Sequence, residues 1–295
     1  MAQSPPISEL KTDFLFSLKG KTAVVTGGSK GMGKEICRAF AAAGCDVVIA
    51  SRKLDSCQEL ARQIQSESPD RRAVAFACNV NKWQDCQGLY DFAYATFDHI
   101  DILVNNAGGS PLYPSLKDIT EDYFDKVVGL NLKGPFRLAA LFGSRMCEQD
   151  GGSIINVSTN ATVTPTPRET IYGAAKSGLN YLTQSLAHAY GPKVRVNCIM
   201  PGPFLTEISK AWGDLKPAEK GWRQRSALMR AGRADEVVGA ALYFASEASS
   251  FTTGAILEIS GLPSGSGVRD PYHKKNLDLE RDVRAKMRDP RLSKL

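Results

Sequence analysis

Histidine is scarce in this chain, with three in 295 residues, and its seven cysteines (Cys37, Cys45, Cys57, Cys78, Cys86, Cys147, Cys198) include no Cys-x-x-Cys pair. Zinc sites and disulfide frameworks need such residues at close, regular spacing, so neither is expected and no metal is assigned. The thiols are expected to be reduced and mostly core filler. A long apolar run is also missing from the start of the chain, where Pro5, Pro6, Glu9, Lys11 and Asp13 interrupt any signal peptide or membrane span. The expectation is a cytoplasmic protein with no membrane partner. Internal repeats and nucleic-acid-binding motifs are absent too. The formal charge of +6 sits largely in Val268–Leu295, where nine Lys/Arg against five Asp/Glu give +4 and leave the body near neutral. A tail of mixed sign reads as a solvated helix or arm, so no nucleic acid is expected as partner.

What the chain does have is hydrophobic residues, 43% of the total, arranged in a repeating pattern. Short β-branched runs recur at Thr22–Val25, Asp46–Ala50, Ala73–Cys78, Ile102–Asn105, Gly152–Val157, Val194–Ile199 and Ala255–Ile259. Amphipathic stretches lie between them at Gly33–Ala43, Leu54–Ser66, Trp83–Phe97, Thr120–Cys147, Ile171–Tyr190 and Ala234–Ala245. That alternation predicts an α/β fold, a doubly wound, Rossmann-type, seven-stranded parallel sheet, with its ligand crevice beyond the carboxyl ends of the strands. The expected organisation is an arm over residues 1–17, one catalytic domain over 18–261, and a C-terminal extension over 262–295. Within the domain, Glu207–Arg225 mixes Gly213, Pro217 and Gly221 with Trp212 and Trp222, as a mobile lid would.

Thr26-Gly-Gly-Ser-Lys-Gly-Met-Gly33 follows the first predicted strand and opens the first predicted helix. Gly27, Gly31 and Gly33 permit a tight turn and close approach of backbone to a phosphate, with Ser29, Lys30 and Met32 between them. A dinucleotide is the expected ligand. A site for the diol cofactor usually places an acid about twenty residues further on. Here Ser51 stands at that position and Arg52 and Lys53 follow. A guanidinium there grips an extra ribose phosphate, helped by Lys30, so NADP(H) is expected over NAD(H). Further along, Tyr172 and Lys176 are four residues apart in a helix-friendly segment, on one helical face. A nearby cation favours the phenolate and is expected to lower the tyrosine pKa, making the pair capable of acid/base chemistry.

With the glycine loop, Asn105-Asn-Ala-Gly108 and Tyr172-x-x-x-Lys176 in this order, the chain resembles the short-chain dehydrogenase/reductases from about Leu18 to about Gly261. The resemblance implies that Asn79 and Val80 lie along the adenine ring, although the family more often has Asp at the position of Asn79. It implies that Asn105, Ala107 and Gly108 form the floor beneath the adenosine ribose and phosphates. Pro201-Gly202-Pro-Phe-Leu-Thr206 resembles the segment that packs on the nicotinamide, and Asn131 matches the family's active-site asparagine. The implied activity is hydride transfer between the cofactor and a small-molecule carbonyl/alcohol pair, with Tyr172 as general acid/base, Lys176 holding the nicotinamide ribose, and Asn131 a water. A homotetramer or dimer is implied as well. The rivals are an NAD-dependent alcohol, sugar or steroid dehydrogenase of the same fold, and a cofactor-binding regulator without activity.

One position stays open. The family usually has a serine thirteen residues before the tyrosine, and counting back from Tyr172 gives Thr159. Residue type favours Ser158 and register favours Thr159, and neighbouring strand residues point to opposite faces. A one-residue insertion in Asn160–Thr170 would restore Ser158, the choice made on chemistry. The loop Gly109–Pro114 and the lid are expected to shape the substrate pocket, with Leu112, Tyr113, Phe204 and Trp212 as apolar walls. Ile259-Ser-Gly-Leu-Pro departs from the family's usual Val-Asp-Gly-Gly. Beyond it, Leu277, Leu279, Val283 and Met287 fall near helical spacing, which suggests an amphipathic helix docking near the lid.

Overall fold

The computed structural model describes residues 11–206 and 226–261. The chain divides into two compact units, Met1–Leu262 and Pro263–Leu295, and every described residue belongs to the first. The expected lid and the tail helix lie outside the described residues. A short helix, α1 (Thr12–Leu15), precedes a regular alternation: β1 (Thr22–Thr26), α2 (Gly31–Ala42), β2 (Asp46–Ser51), α3 (Leu54–Glu67), β3 (Ala73–Ala77), α4 (Trp83–Thr96) and β4 (Ile102–Asn105). The second half continues with α5 (Glu121–Val128), α6 (Gly134–Glu148), β5 (Gly152–Val157), α7 (Thr170–Tyr190) and β6 (Val194–Pro201). Two-residue strands β7 (Phe204–Leu205) and β8 (Gly232–Arg233) pair with each other, and α8 (Val238–Ala245) and β9 (Ile256–Ile259) complete the unit.

The main sheet runs β3-β2-β1-β4-β5-β6-β9, all parallel. Alternate strand residues face opposite ways and meet different helices. Ala23, Val25, Val47, Ile49, Ile102 and Val104 join a core with Ile36, Phe40, Leu60 and Phe244 from α2, α3 and α8. Val24, Val48 and Leu103 join the other core with Leu89, Leu138, Phe142 and Leu186 from α4, α6 and α7. Burial on both faces is why these strands read as nearly unbroken apolar runs. The strand order reverses between β1 and β4, and such a switch point opens the crevice in which doubly wound sheets bind ligands.

Thr120–Cys147 is not the single regular helix its periodicity suggests. α5 passes into α6 through one π turn, Gly129–Lys133. A β-carbon on Gly129 would overlap the Asn81 side chain, and one on Gly134 would overlap the Val80 carbonyl, so both glycines let this helix press against the loop after β3. Pro135 follows, and its missing N–H and ring disfavour an uninterrupted i to i−4 ladder. The widened turn is where Asn131 sits.

Candidate active site

β1 hands over to α2 through Gly27–Lys30, with Gly27 at φ +62° and Gly31 at φ +55°, in the region where only glycine is comfortable. A β-carbon on Gly33 would overlap the Gly27 carbonyl and the Asn106 amide, so that glycine lets the first turn of α2 close on the loop. No side chain caps α2, because Lys30 at the N-cap makes no such bond, which leaves the first N–H groups of the helix available to an anion. Met32, partly buried, packs against the core. At the end of β2 the Ser51 hydroxyl is 2.9 Å from that of Ser29. Lys30, Arg52 and Lys53 are exposed around this pair, and none of their side chains has an ion-pair or hydrogen-bond partner among the described residues.

After β3 the backbone N–H of Asn79 donates to the Asp85 carboxylate at 3.0 Å, and its side-chain oxygen accepts from the Asn81 N–H at 3.3 Å. Val80, next in line, is buried against Gly134. β4 ends on Asn105, whose side chain turns inward and donates to the Pro135 carbonyl at 3.2 Å and to Asn156 Oδ1 at 3.0 Å. Asn105 therefore ties β4 to β5 and α6, while Ala107 and Gly108 continue along the crevice. Gly108 marks a convergence. A β-carbon there would lie 3.0 Å from Asn131 Oδ1 and 3.2 Å from Lys176 Nζ, so the amide and the ammonium meet at a glycine. The π turn aims Asn131 at this point; its Nδ2 donates to the Gly109 and Val127 carbonyls at 2.9 Å each, and its Oδ1 accepts the Gly109 N–H at 3.1 Å.

The end of β5 separates the two candidate hydroxyls. Ser158 is buried, with its Oγ 3.4 Å from the Lys176 carbonyl and within reach of the Cys198 thiol. Thr159 is half-buried; its hydroxyl accepts the Ala161 N–H at 3.3 Å and lies close enough to the Tyr172 phenol to act on its pKa. Ser158 stands just past the end of β5 with its side chain buried, while Thr159 keeps the thirteen-residue spacing to Tyr172. Tyr172 and Lys176 lie on one face of α7 as their spacing implies. Burial of the ammonium pushes Lys176 down to about 8, with the nearby Cys198 thiol working in the opposite direction. Burial pushes Tyr172 up to about 12, with the Thr159 hydrogen bond acting against that rise and Glu169 adding to it. The expected depression of the tyrosine pKa is therefore not found: desolvation dominates, and Lys176 Nζ donates to the Val157 carbonyl at 2.6 Å.

β6 ends at Pro201, and Gly202 donates its N–H to the Ile259 carbonyl at 3.1 Å in a position where a β-carbon would overlap Ser260. Further on, the Thr206 side chain lies 3.3 Å from where a β-carbon on Gly31 would stand. On the other side the Tyr113 hydroxyl donates to the Pro167 carbonyl at 2.6 Å, strapping the loop after β4 to the approach to α7. Leu112, Tyr113, Leu116, Pro167 and Arg168 line a cleft of about 530 Å³ there.

A family model described as enoyl-(acyl carrier protein) reductase matches residues 27–261. Among curated proteins, D-threitol dehydrogenase of Mycolicibacterium smegmatis is 34% identical over 255 residues, covering 86% of this chain and 96% of that one. The solved NADPH-dependent 3-quinuclidinone reductase of Rhodotorula rubra is 29% identical with a TM-score of 0.80, over 88% of this chain and 96% of that one. A 7α-hydroxysteroid dehydrogenase solved with NADH and 7-oxo glycochenodeoxycholic acid is 32% identical with a TM-score of 0.79, over 88% of this chain and 98% of that one. The chain belongs to the short-chain dehydrogenase/reductase family. Its relatives are oxidoreductases acting on alcohols, sugars and steroids.

As a short-chain dehydrogenase/reductase it uses two residues that the sequence reading passed over. The Thr26 hydroxyl accepts the N–H groups of Asn106 and Ala107 at 3.1 Å each and donates to the Val104 carbonyl at 3.2 Å. The Asn106 side chain donates to the carbonyls of Thr26 and Gly27, at 2.9 and 3.2 Å. Together they lock the glycine loop to the loop after β4. The signal was present in the second of two consecutive asparagines at a strand end, since alternation leaves only one of them facing the core. Phe204, expected as a pocket wall, is instead buried in the core against Gly232. Trp212 lies outside the described residues. Among the described residues no group of three metal-ligating side chains exists and no helix is long and apolar enough to cross a membrane.

Proposed function

We propose that this protein is an NADP(H)-dependent reductase that interconverts a ketone or aldehyde with the corresponding alcohol. The observation that carries the reading is the Tyr172 phenol beside the Thr159 hydroxyl, one turn of α7 from the buried Lys176, which meets Asn131 at Gly108. The glycine cradle, in which β-carbons have no room, and the uncapped start of α2 fit the diphosphate of a nicotinamide dinucleotide. Such a cofactor, when bound, supplies or accepts hydride. The residues of the chain do the rest. In reduction, the hydroxyls of Thr159 and Tyr172 hydrogen-bond the substrate oxygen and polarise the carbonyl, and Tyr172 gives its proton to the developing alkoxide. The ammonium of Lys176 stabilises the phenolate left behind; it has three donors, and one is used on Val157. Oxidation reverses each proton movement.

In this reading Thr159, and not Ser158, polarises the carbonyl, which is supported by its position beside the Tyr172 phenol and by the burial of Ser158 against the Lys176 carbonyl. NADP(H) is favoured by the Ser29–Ser51 pair and by Lys30, Arg52 and Lys53, whose side chains have no partner among the described residues, with a serine where a diol site would place an acid. Relatives use both cofactors, so the charge of this corner carries the choice. The same reading takes the protein as a cytoplasmic homo-oligomer, a dimer or tetramer; exposed Phe124, Phe136, Tyr181 and Phe251 offer apolar surface for such contacts. Titrating the protein with NADPH and NADH and then following nicotinamide absorbance across a panel of ketones and aldehydes tests the proposal. NADPH should bind about tenfold more tightly, the scale of one charge-assisted contact, and at least one carbonyl should consume it. Binding without turnover over a broad panel, in both directions, would point to a regulator.

A further inference from the structure

Ser29, Ser51 and Cys57 form a continuous hydrogen-bonded chain at the end of β2. Ser51 Oγ is 2.9 Å from Ser29 Oγ and 3.0 Å from Cys57 Sγ. Cys57 is fully buried in the first turn of α3, packed into the core below the serines. Burial raises its pKa, so the thiol keeps its proton. A hydroxyl has one proton to give and two lone pairs to receive with. Either partner can donate in each of these contacts; where the thiol donates to Ser51, that hydroxyl gives its own proton to Ser29 and leaves the Ser29 proton free for a group in the crevice. The other acceptor near Ser51, the Lys53 carbonyl, is 3.4 Å away and competes weakly. Every donor then runs from the core toward the corner of Lys30 and Arg52, whose side chains have no partner among the described residues. A chain that ends in a donor suits a group that only accepts, a phosphate monoester. A ribose hydroxyl, which brings a proton of its own, gains less from it.

We propose that Cys57 is a positioning residue for cofactor choice: its thiol orders the Ser51–Ser29 pair as outward donors to the 2′-phosphate of NADP(H). The proposal rests on the NADP(H) reading above. It is tested on the full chain by calorimetric titration with adenosine 2′,5′-bisphosphate and with 5′-AMP, comparing wild type with Cys57→Ala, Cys57→Val and Cys57→Ser. The alanine and valine variants should lose about 3- to 10-fold of the preference for the bisphosphate, the scale of one hydrogen bond, with 5′-AMP affinity kept within about twofold. Cys57→Ser, which restores a donor, should keep the preference. Valine fills the thiol's space without a proton and gives the answer where alanine does not fold. A wild-type preference that survives in both variants, or an equal loss for both nucleotides, overturns the proposal. A wild type that binds the two nucleotides equally overturns the NADP(H) reading itself, and the proposal with it.

Discussion

The crevice has two halves, and they are built on different principles. The cofactor half, from the glycine loop to the end of β2, works through backbone: Gly27 and Gly31 adopt positive φ, and Gly33 admits the Gly27 carbonyl where a side chain would stand. The catalytic half, from the end of β5 across α7 to the π turn, works through side chains whose protons matter, and two of them, Asn131 and Lys176, are buried. Backbone requirements write themselves into sequence because only glycine meets them. Side-chain chemistry does so less clearly, since a threonine and a serine next to each other both carry a hydroxyl and only the direction of the strand tells them apart. The comparison makes the two halves separable, with binding failing in one and turnover in the other.

The largest effect should come from attacking the backbone half. Gly33→Val drives a branched side chain into the Gly27 carbonyl and the Asn106 amide, and should weaken NADPH binding by about 100-fold or more, the scale of several kcal/mol of lost contact and strain. Calorimetry checks it, with thermal unfolding to show that the fold remains. Next comes the hydroxyl pair. Thr159→Val should cut turnover by about 10²-fold, as for the loss of one donor to a developing oxyanion, while NADPH affinity holds. Ser158→Ala, which removes a hydroxyl aimed at the Lys176 carbonyl, should change turnover by no more than about threefold, the worth of a weak hydrogen bond. The reverse pattern would restore Ser158. A smaller effect is expected from Ser51→Asp, which puts a carboxylate beside Arg52 and should move the NADPH to NADH preference about tenfold toward NADH.

The smallest effect is on pH. Lys176 is held down to about 8 by burial, so its ammonium is present below that pH and is lost as the pH rises through it. Tyr172, at about 12, remains a proton donor across the same range. Reduction should therefore decline as the pH rises past about 8, and Lys176→Arg, whose guanidinium keeps its proton, should flatten the decline. A rate that is flat through this window in the wild type would remove Lys176 from the proton chemistry.

Much of the fold was legible because both faces of the sheet are covered. Runs such as Thr22–Val25 and Ile102–Asn105 are apolar on both sides, so they stand out between the amphipathic helices. The π turn was not legible. Gly129, Asn131, Gly134 and Pro135 keep helical spacing in sequence, and what widens the turn is the close approach of the loop at Val80 and Asn81, a tertiary contact. In the site, the spacing of Tyr172 and Lys176 was sufficient to put them on one face, but their pKa values were not, because burial outweighs the charge that proximity alone would suggest. Thr26 and Asn106 went unnoticed for a related reason: their work is to hold one loop to another, and no local pattern announces a bond across eighty residues of chain.

The central claim, that the halves are separable and that Tyr172 supplies the proton, is tested most directly by Tyr172→Phe, with NADPH binding and carbonyl turnover measured on the same preparation. The account predicts NADPH affinity within about twofold of wild type and turnover lower by about 10³-fold or more, since the ring keeps its packing and only the proton is lost. Turnover near the wild-type level, or a parallel loss of binding and turnover, would contradict it.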